Sequence, residues 1–530
     1  MAVLDVSQMG SLHTVLSMVL KDGARSLLAK AVRAMDEKKV RRESGGVVSE
    51  EKKRRHLDRN PFFDSLSSSI SSLTTTTTTS PSPAQSSQFL ASPSSSSAQP
   101  AQPLSVSSNS SSLYWPRFMR ARLFAQLLKV TATSSASTYT VHIERPTATY
   151  PLVPSIEKRW KPWIQFATQM QTADPRMLRQ NAGVSGVVLD FKITSNLGVD
   201  RPVGAGYPGP YREGVSLVSE ALSWLADDPS QRSRSLFIRS PNARGENGFY
   251  QDKLLVNPML KSRGVLSVDC RAFGWLMGIC VRSHAALNLD LHPLVWQLLL
   301  EGPGRFLSRG INDALELLKQ CDQNMGLLLG RMEGMSEDEF ELWELHYTCF
   351  LSDATEVELL ENGRRKLVEY KDRTKWRDMV LARRLEESWL PIHHMRAGLL
   401  EVLPTCGSAD MLDLLTWKEL EDRICGRPEF PINALKEITK FRGQQGADTP
   451  VVKFLWRLLE SYSLKQRQAW LRFVVNRTRL PSREENFDIV VELLPSSREA
   501  PAGSTCTRTL KLPSYSTYEM LEDRMNEVGR

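Results

Sequence analysis

The stretch FDIVVELL (487–494), together with STCTRTLKLPSY (504–515) after it, decides how the C-terminal part of this chain folds. Residues 487–494 have the apolar pattern of a strand, and a second apolar run begins at Leu510. Cys506 lies between them in a loop of small and polar residues, with Arg508 close by. Such a cysteine is accessible, and a nearby cation favours the nucleophilic thiolate. Cys506 is therefore the candidate catalytic residue.

The other cysteines, of seven in the chain, have a different setting. Cys280 falls within an apolar helical pattern and Cys425 beside a predicted helix end, which is typical of small core residues. Asp5, Asp22 and the lack of a continuous apolar block near the N-terminus argue against a secretory signal. The thiols are therefore expected to be reduced.

The sequence predicts neither a metal site nor a cofactor. The eight histidines, including His393 and His394, are not spaced with cysteines or acidic residues as metal ligands. Residues 204–209 fit a G-x-G-x-x-G pattern, but Pro208 and Pro210 remove two backbone amides that a pyrophosphate site needs. We expect a flexible loop there rather than a nucleotide site.

Length and composition indicate a soluble protein with more than one packed unit. The 530 residues are 41% hydrophobic and 24% charged, and a chain of this length divides into two or three units. No apolar run is long enough to predict a membrane span. The net charge of +8 comes from residues 1–139, which hold 17 Lys and Arg against 9 Asp and Glu. Since the remainder is neutral, a nucleic-acid surface is not predicted.

Residues 1–64 form a basic N-terminal segment. Within it, residues 9–35 carry apolar side chains at helical spacing and predict an amphipathic helix. The basic clusters at 38–42 and 52–55 resemble a two-part nuclear import signal, although a solvated charge run is the simpler explanation. We expect the protein in the cytoplasm, with the nucleus as the alternative.

Residues 65–137 are rich in Ser, Thr and Pro, and they predict a disordered linker. Such a composition buries too little apolar surface to offset the entropy lost on ordering. One apolar and basic interruption, at 113–130, is a candidate helix that packs on the residues after it.

Globular patterning begins near Thr138, and helical patterns outnumber strand patterns from there on. Helices are predicted at 211–225, 273–287 and 449–463, where apolar residues are three and four positions apart. Strands are predicted at 138–143, 186–193, 235–238 and 487–494. The predicted fold class is α+β.

Several motifs follow one another in a set order along this part of the chain. They are Tyr211-Arg212-Glu213 after a glycine-rich stretch, residues 235–258 and 273–300, the Leu-Glu-x-x-Ile-Cys-Gly pattern from Leu420 to Gly426, and residues 504–515. Together they resemble the HECT domain, the catalytic end of a large family of ubiquitin ligases, and in particular that of its large HERC-like members. Several matches in register are more specific than any one of them.

The resemblance implies a bilobal α+β fold. A larger, mainly helical N-lobe would cover 138–463 and a small α+β C-lobe 464–530. A subdomain near 305–350 would bind the ubiquitin-conjugating enzyme. The hinge between the lobes would consist of Ser463, Leu464, Lys465 and Gln466. The aromatic residues Phe340, Trp343, Tyr347 and Phe350 either line the groove for the conjugating enzyme or form the core of its subdomain, and both interpretations stay open.

The resemblance also implies an activity. Ubiquitin would arrive as a thioester on a conjugating enzyme, pass to Cys506, and then pass to a lysine of a protein substrate. Ubiquitin, the conjugating enzyme and protein substrates are therefore the expected partners. Thr505 and Glu527 are candidate assisting residues, and Glu527 could accept the proton of the attacking lysine.

The chain departs from the family pattern near the cysteine and near the C-terminus. Ser504 stands where the family usually has His, and Thr507 where it has Phe. Asn526 stands where many relatives have an aromatic residue. These departures leave a second interpretation open, a catalytically weak or inactive HECT-like protein that only binds a conjugating enzyme.

Overall fold

The helices and strands of the computed structural model follow the apolar spacing of the sequence. The structure describes residues 116–133, 138–145, 159–180, 188–194, 208–228, 230, 234–262, 266–302, 310–404, 410–443, 448–483, 485–495 and 498–528. The basic segment 1–64, with its predicted helix and its basic clusters, lies outside these residues.

Helices alternate with short strands along the described chain. The α-helices are α1 (Arg117–Val130), α2 (Lys161–Met170), α3 (Pro208–Asp227), α4 (Pro241–Arg244), α5 (Leu266–Ser283), α6 (Pro293–Glu301), α7 (Ile311–Cys321), α8 (Gln323–Arg331), α9 (Glu337–Glu341), α10 (Arg373–Glu386), α11 (Trp389–Val402), α12 (Trp417–Ile424), α13 (Ile432–Glu437), α14 (Pro450–Ser461), α15 (Leu464–Val475) and α16 (Tyr518–Val528). The strands are β1 (Tyr139–Glu144), β2 (Leu189–Thr194), β3 (Phe237–Arg239), β4 (Leu254–Val256), β5 (Thr348–Phe350), β6 (Glu356–Glu358), β7 (Thr439–Arg442), β8 (Ile489–Leu494), β9 (Ala502–Ser504) and β10 (Thr509–Pro513). Short 3-10 helices cover Pro175–Arg179, Pro258–Ser262, Gly363–Arg365, Tyr370–Asp372 and Met411–Leu414.

The predicted elements have their counterparts in this order. Helices α3, α5 and α14 match the three predicted helices, and strands β1, β2, β3 and β8 match the four predicted strands. The expected mixture of helices and strands is therefore confirmed. Within the described ranges, no helix combines the length and the apolar character needed to cross a bilayer.

The described residues before Phe430 are mainly helical and are here called the helical region. Helices α5 and α11 cross at its centre. A Cβ atom at Gly274 would lie 2.1 Å from the carbonyl oxygen of Met395, and one at Gly398 would lie 2.1 Å from that of Arg271. The backbones therefore approach more closely than any side chain at these two positions would allow. This contact fixes the frame on which α3 and the other helices of the region pack.

Helix α1 packs on the same region, which confirms the helix predicted at 113–130 and removes it from the predicted linker 65–137. Phe124 is fully buried. The Arg120 guanidinium donates to the carbonyl oxygen of Leu414 at 2.8 Å and forms an ion pair with Glu419 at 2.6 Å. The apolar interruption of the Ser/Thr-rich stretch is thus part of the folded chain, because its apolar face has a core to cover.

Residues between Phe430 and Met525 form one cluster of buried apolar side chains, here called the C-terminal cluster. It contains a four-stranded sheet in the order β7-β8-β10-β9. Strand β8 runs parallel to both β7 and β10, while β9 is antiparallel to β10. Helices α14, α15 and α16 cover the sheet with Leu455, Leu471 and Leu521. This part of the chain therefore has a core of its own.

The hinge predicted at Ser463–Gln466 lies inside the C-terminal cluster. Leu459 before it and Trp470 after it belong to the same core. The first and last residues of the range form a capping box that begins α15, in which each side chain accepts a hydrogen bond from the other's backbone N–H. Both helices that flank this junction therefore belong to one core, which begins at Phe430, before the predicted boundary between 463 and 464. The hinge itself stays a prediction.

Candidate active site

Cys506 lies in the turn between β9 and β10. The strands pair with Ser504 opposite Thr509, so the turn consists of residues 505–508. Cys506 is exposed, whereas the other cysteines of the described ranges are buried; these are Cys270, Cys280, Cys321, Cys349 and Cys425. The predictions that Cys506 is accessible and that Cys280 and Cys425 are core residues are confirmed.

The buried thiols are poor nucleophiles for a physical reason. Burial raises the pKa of Cys425 to about 12 and that of Cys349 to about 11. These side chains are therefore protonated at neutral pH, and a protonated thiol does not attack a carbonyl carbon. Exposure and chemistry thus single out Cys506 among the described cysteines.

The turn is held from within and from the neighbouring strand. The Thr507 hydroxyl donates a hydrogen bond to the Ser504 hydroxyl at 2.8 Å. The backbone N–H of Val490, in β8, donates to the carbonyl oxygen of Arg508 at 2.9 Å. Ser504 and Thr507, the two departures from the family pattern, therefore bond to each other and close the base of the turn.

Arg212 reaches the turn from helix α3. Its Nη1 donates to the carbonyl oxygen of Thr505 at 3.3 Å. Burial, and then the nearby guanidinium groups of Arg508 and Arg477, lower the pKa of Arg212 to about 10. Since Arg212 still carries its charge at neutral pH, the turn lies beside an excess of positive charge, which attracts anionic groups.

Phe487 lies against two of these guanidinium groups. The ring centroid is 4.2 Å from the guanidinium carbon of Arg508 and 4.8 Å from that of Arg477. Arg477 also forms a two-pronged ion pair with Glu485, at 2.9 and 2.8 Å, and donates to the carbonyl oxygen of His284. A continuous set of contacts therefore runs from the turn to the end of helix α5.

Residues 477–481, here called the anchor segment, fasten the C-terminal cluster to the helical region. Arg479 is buried and its Nη1 donates to Glu421 at 2.7 Å. Leu480 forms a β-bridge with Arg427. Glu421 belongs to the Leu-Glu-x-x-Ile-Cys-Gly motif, so the anchor segment binds to that motif.

Glu527 lies in helix α16, away from any contact with the turn in the described ranges. Both of its carboxylate oxygens accept hydrogen bonds from Arg524, at 2.9 and 2.7 Å. The pairing is an ordinary one for residues three positions apart on an exposed helix. The assisting role of Glu527 stays a prediction, as does that of Thr505, whose carbonyl group faces Arg212.

The four aromatic candidates for binding a conjugating enzyme divide into two pairs. Phe340 and Tyr347 are 2% and 8% exposed and belong to the core of their subdomain. Trp343 and Phe350 are 47% and 55% exposed. Leu342, at 84%, is exposed as well. The core interpretation therefore holds for Phe340 and Tyr347, while a role of Trp343 and Phe350 in binding a conjugating enzyme stays a prediction.

The supports of the turn could not be found by reading motifs. Arg212 lies within the Tyr211-Arg212-Glu213 motif, but 293 positions separate it from Thr505. Periodicity along one element carries no information about such a contact. The one signal for the anchor segment is the closely spaced Arg477 and Arg479, since two arginines so near each other in an apolar setting need partners.

The turn of Cys506 lies in a part of the chain that resembles a known family and several named relatives. A family model described as the HECT domain, a ubiquitin-transferase, matches residues 224–527. The E3 ubiquitin-protein ligase HERC2 of Mus musculus is 28% identical over 319 residues, which is 58% of this chain and 6% of that protein. HERC2 of Homo sapiens is 28% identical over 316 residues, again 58% and 6%. The human probable E3 ubiquitin-protein ligase HECTD4 is 25% identical over 385 residues, or 66% and 9%.

The chain spans only a small fraction of the length of these relatives, so the comparison concerns their shared domain. That domain includes helix α5, the Leu420–Gly426 motif, the anchor segment and the turn of Cys506. Because the match covers more than half of the chain, and because it includes the exposed cysteine, the chain belongs to the HECT family.

Proposed function

We propose that this protein is a ubiquitin ligase that carries ubiquitin as a thioester on Cys506 and transfers it to a lysine of a substrate. The observation that carries the proposal is the exposure of Cys506 in a tethered turn, inside the matched region, while the other described cysteines are buried. HERC2 and HECTD4 are named as ubiquitin-protein ligases, the second as a probable one, which supports the same assignment.

In the first step the Cys506 thiolate attacks the carbonyl carbon of the thioester on the conjugating enzyme. A new carbon–sulfur bond forms, the old one breaks, and the cysteine of the conjugating enzyme leaves as a thiolate. Because one thioester replaces another, the step needs a correctly placed nucleophile more than a strong driving force. The tethers on Thr505, Thr507 and Arg508 supply that placement.

In the second step a substrate lysine attacks the thioester on Cys506. An amide forms, Cys506 leaves as a thiolate, and the amine loses a proton. Glu527 and Thr505 are the candidates for assisting this proton transfer, directly or through water. The step is downhill because an amide is more stable than a thioester.

We place the conjugating enzyme on the subdomain around α9 and β5, against the exposed side chains of Leu342, Trp343 and Phe350. Large apolar side chains at the centre of an interface carry much of its binding energy. The C-terminal cluster is then the C-lobe of a bilobal enzyme, with the residues just before Phe430 as the hinge.

Trapping of the adduct tests the proposal. The protein is incubated with activating enzyme, a panel of conjugating enzymes and tagged ubiquitin, and the products are separated without reductant. We expect an adduct that thiol reductants release, its complete loss in Cys506→Ala, and its retention in Cys425→Ala. Cys506→Ser should form, slowly, an oxyester that resists reductant.

Two outcomes would contradict the proposal. An adduct that persists in Cys506→Ala would place the thioester on another residue. A native protein that binds a conjugating enzyme but accumulates no adduct would be the binding-only form of the family.

A further inference from the structure

Arg508 has a backbone conformation that its side chain does not favour. Its φ is 54°, in the left-handed region, where Gly and Asn are the usual residues. The geometry of a short hairpin turn explains why one residue takes this conformation. It does not explain why the residue is an arginine, so the reason must lie in the side chain.

The Arg508 side chain is fixed by Phe487. The guanidinium carbon is 4.2 Å from the ring centroid, within the range of a cation–π contact. Phe487 is itself buried and belongs to the C-terminal cluster. The contact therefore joins a turn on the surface to a side chain that the core holds still.

The same ring passes the contact on to the helical region. Arg477, in the anchor segment, lies 4.8 Å from the Phe487 centroid and donates to the carbonyl oxygen of His284. Glu485 neutralises Arg477 through two contacts. The Phe487 ring thus links the position of the turn to the position of the anchor segment.

We infer that Arg508 is a positioning residue for Cys506. Through its contact with Phe487, Arg508 keeps the turn in a fixed position relative to the anchor segment. Its kinetic consequence rests on the function proposed above. A displacement of about 1 Å at a reacting atom can lower a rate about 100-fold, so a loosened turn slows transfer even when the thiol stays chemically intact. A role in fold stability alone would leave the rate of transfer unchanged in the folded protein.

The test compares Arg508→Asn with the matched control Lys511→Asn. Asparagine accepts the left-handed backbone but cannot reach the ring, whereas the exposed Lys511 lies on the same hairpin. Single-turnover transfer from a charged conjugating enzyme to Cys506 should slow about 10- to 100-fold in Arg508→Asn. The concentration of conjugating enzyme at half-maximal rate should not change, and Lys511→Asn should match the native protein. Alkylation of Cys506 by iodoacetamide should slow much less than transfer in Arg508→Asn, because loss of the Arg508 charge affects both reactions whereas loss of positioning affects transfer alone. Equal slowing of the two reactions would overturn the inference.

A second variant removes the contact from the other side. Phe487→Leu should slow transfer at least as much, because it removes the contact with Arg508 and also the one with Arg477. The double variant should be no slower than Phe487→Leu alone, because Arg508 then has no ring contact left to lose. Transfer in Arg508→Asn within about twofold of the native rate would overturn the inference. So would independent, multiplying effects of the two substitutions.

Amide hydrogen exchange tests the positioning without relying on ligase activity. In Arg508→Asn the amide of Val490, whose N–H donates to the carbonyl oxygen of Arg508, should exchange about 10-fold faster, while those of α14 and α15 keep their native rates. Unchanged exchange at Val490 would overturn the inference even if the protein is an active ligase. A native protein that forms no adduct would instead contradict the proposed function, and the exchange data would still decide the role of Arg508.

Discussion

Two arginine-rich regions of this molecule have opposite charge balances. Arg384, in α10, is buried between Asp322 at 2.8 Å and Glu387 at 3.2 Å. Burial alone would lower the pKa of Arg384, but the two carboxylates raise it above its usual value. Beside Cys506 the reverse holds, because burial and neighbouring guanidinium groups lower the pKa of both Arg212 and Arg508.

We therefore expect the compensated charge of Arg384 to stabilise the fold and the charges of Arg212 and Arg508 to bear on the reaction at Cys506. A neutralised guanidinium group joins the elements that supply its partners. An uncompensated one raises the energy of the free protein, and that energy is recovered when an anionic group arrives. The region around Arg384 should therefore govern stability, and the region around Cys506 should govern reaction rate.

Arg384→Met gives the largest expected loss of stability. It leaves two carboxylates buried without their partner, and breaking a buried pair in this way costs about 3–5 kcal/mol in the free energy of unfolding. Urea denaturation measures the loss. The matched control is Arg364→Met, since Arg364 is exposed and its ion pair with Glu356 is long, at 3.5 Å. This substitution should lower the free energy of unfolding by about 0–1 kcal/mol. Equal losses in the two variants would contradict the comparison.

Phe340 and Trp343 lie three positions apart in one subdomain, and we expect the first to affect stability and the second to affect binding. Phe340→Ala empties a core site and should lower the free energy of unfolding by about 3–5 kcal/mol. Trp343→Ala should change it by less than about 0.5 kcal/mol but weaken binding of a conjugating enzyme by about 2 kcal/mol. Calorimetric titration and denaturation of the same two variants give both numbers. A weaker complex in Phe340→Ala alone would remove Trp343 from the docking surface.

His292 provides a buried group that must stay neutral. Its Nδ1 accepts the backbone N–H of Leu294 at 3.1 Å, and burial lowers its pKa to about 4. The unfolded chain, with an ordinary pKa near ~6.5, therefore takes up a proton first as the pH falls. Stability is complete above pH ~6.5 and falls by up to about 3 kcal/mol as the pH approaches ~4.

His292→Asn should make that pH dependence shallower. Asparagine can cap the helix in the same way but does not titrate. Thermal unfolding measured at a series of pH values would show the change in slope. A native slope in the variant would mean that other groups cause the loss of stability in acid.

Arg212→Gln should lower the free energy of unfolding by only about 0–1 kcal/mol, because no carboxylate partner is left behind. Transfer of ubiquitin to Cys506 should nevertheless slow about 10-fold, since the tether on the Thr505 carbonyl group is lost. The exposed Arg122 of α1 supplies the control, as Arg122→Gln should alter neither quantity. A large loss of stability in Arg212→Gln would mean that the two arginine-rich regions do not differ as described.

Sequence patterns predicted the helices and strands well. They did not predict the contacts that hold the turn of Cys506 in place. Helices α3, α5 and α14 each carry an unbroken apolar face, so periodicity alone locates them. The exposure of Cys506 could be predicted because small and polar residues surround it in the sequence. Its tethers come from Arg212 and Phe487, which lie on other elements, and local patterns do not encode such contacts.

The hinge predicted at Ser463–Gln466 rests on a similarly local pattern. The Ser-x-x-Gln pattern at 463–466 correctly marks the start of a helix. Whether a break between helices moves depends on what packs on both sides of it, and here one core contains both helices. Likewise, Phe340 and Trp343 are three positions apart, and only the surrounding chain decides which of them is covered.

The bridge between Arg427 and Leu480 has a mechanical consequence. The chain enters the C-terminal cluster just after Arg427, and the anchor segment returns to that same place. The cluster is joined to the helical region at further places, by Arg479 on Glu421, by Arg477 on the carbonyl oxygen of His284 and by Arg212 on the carbonyl oxygen of Thr505. A body held at several separate places cannot rotate without breaking some of these contacts. Any rotation of the cluster that leaves the bridge intact would therefore still have to break the contact between Arg212 and the turn of Cys506.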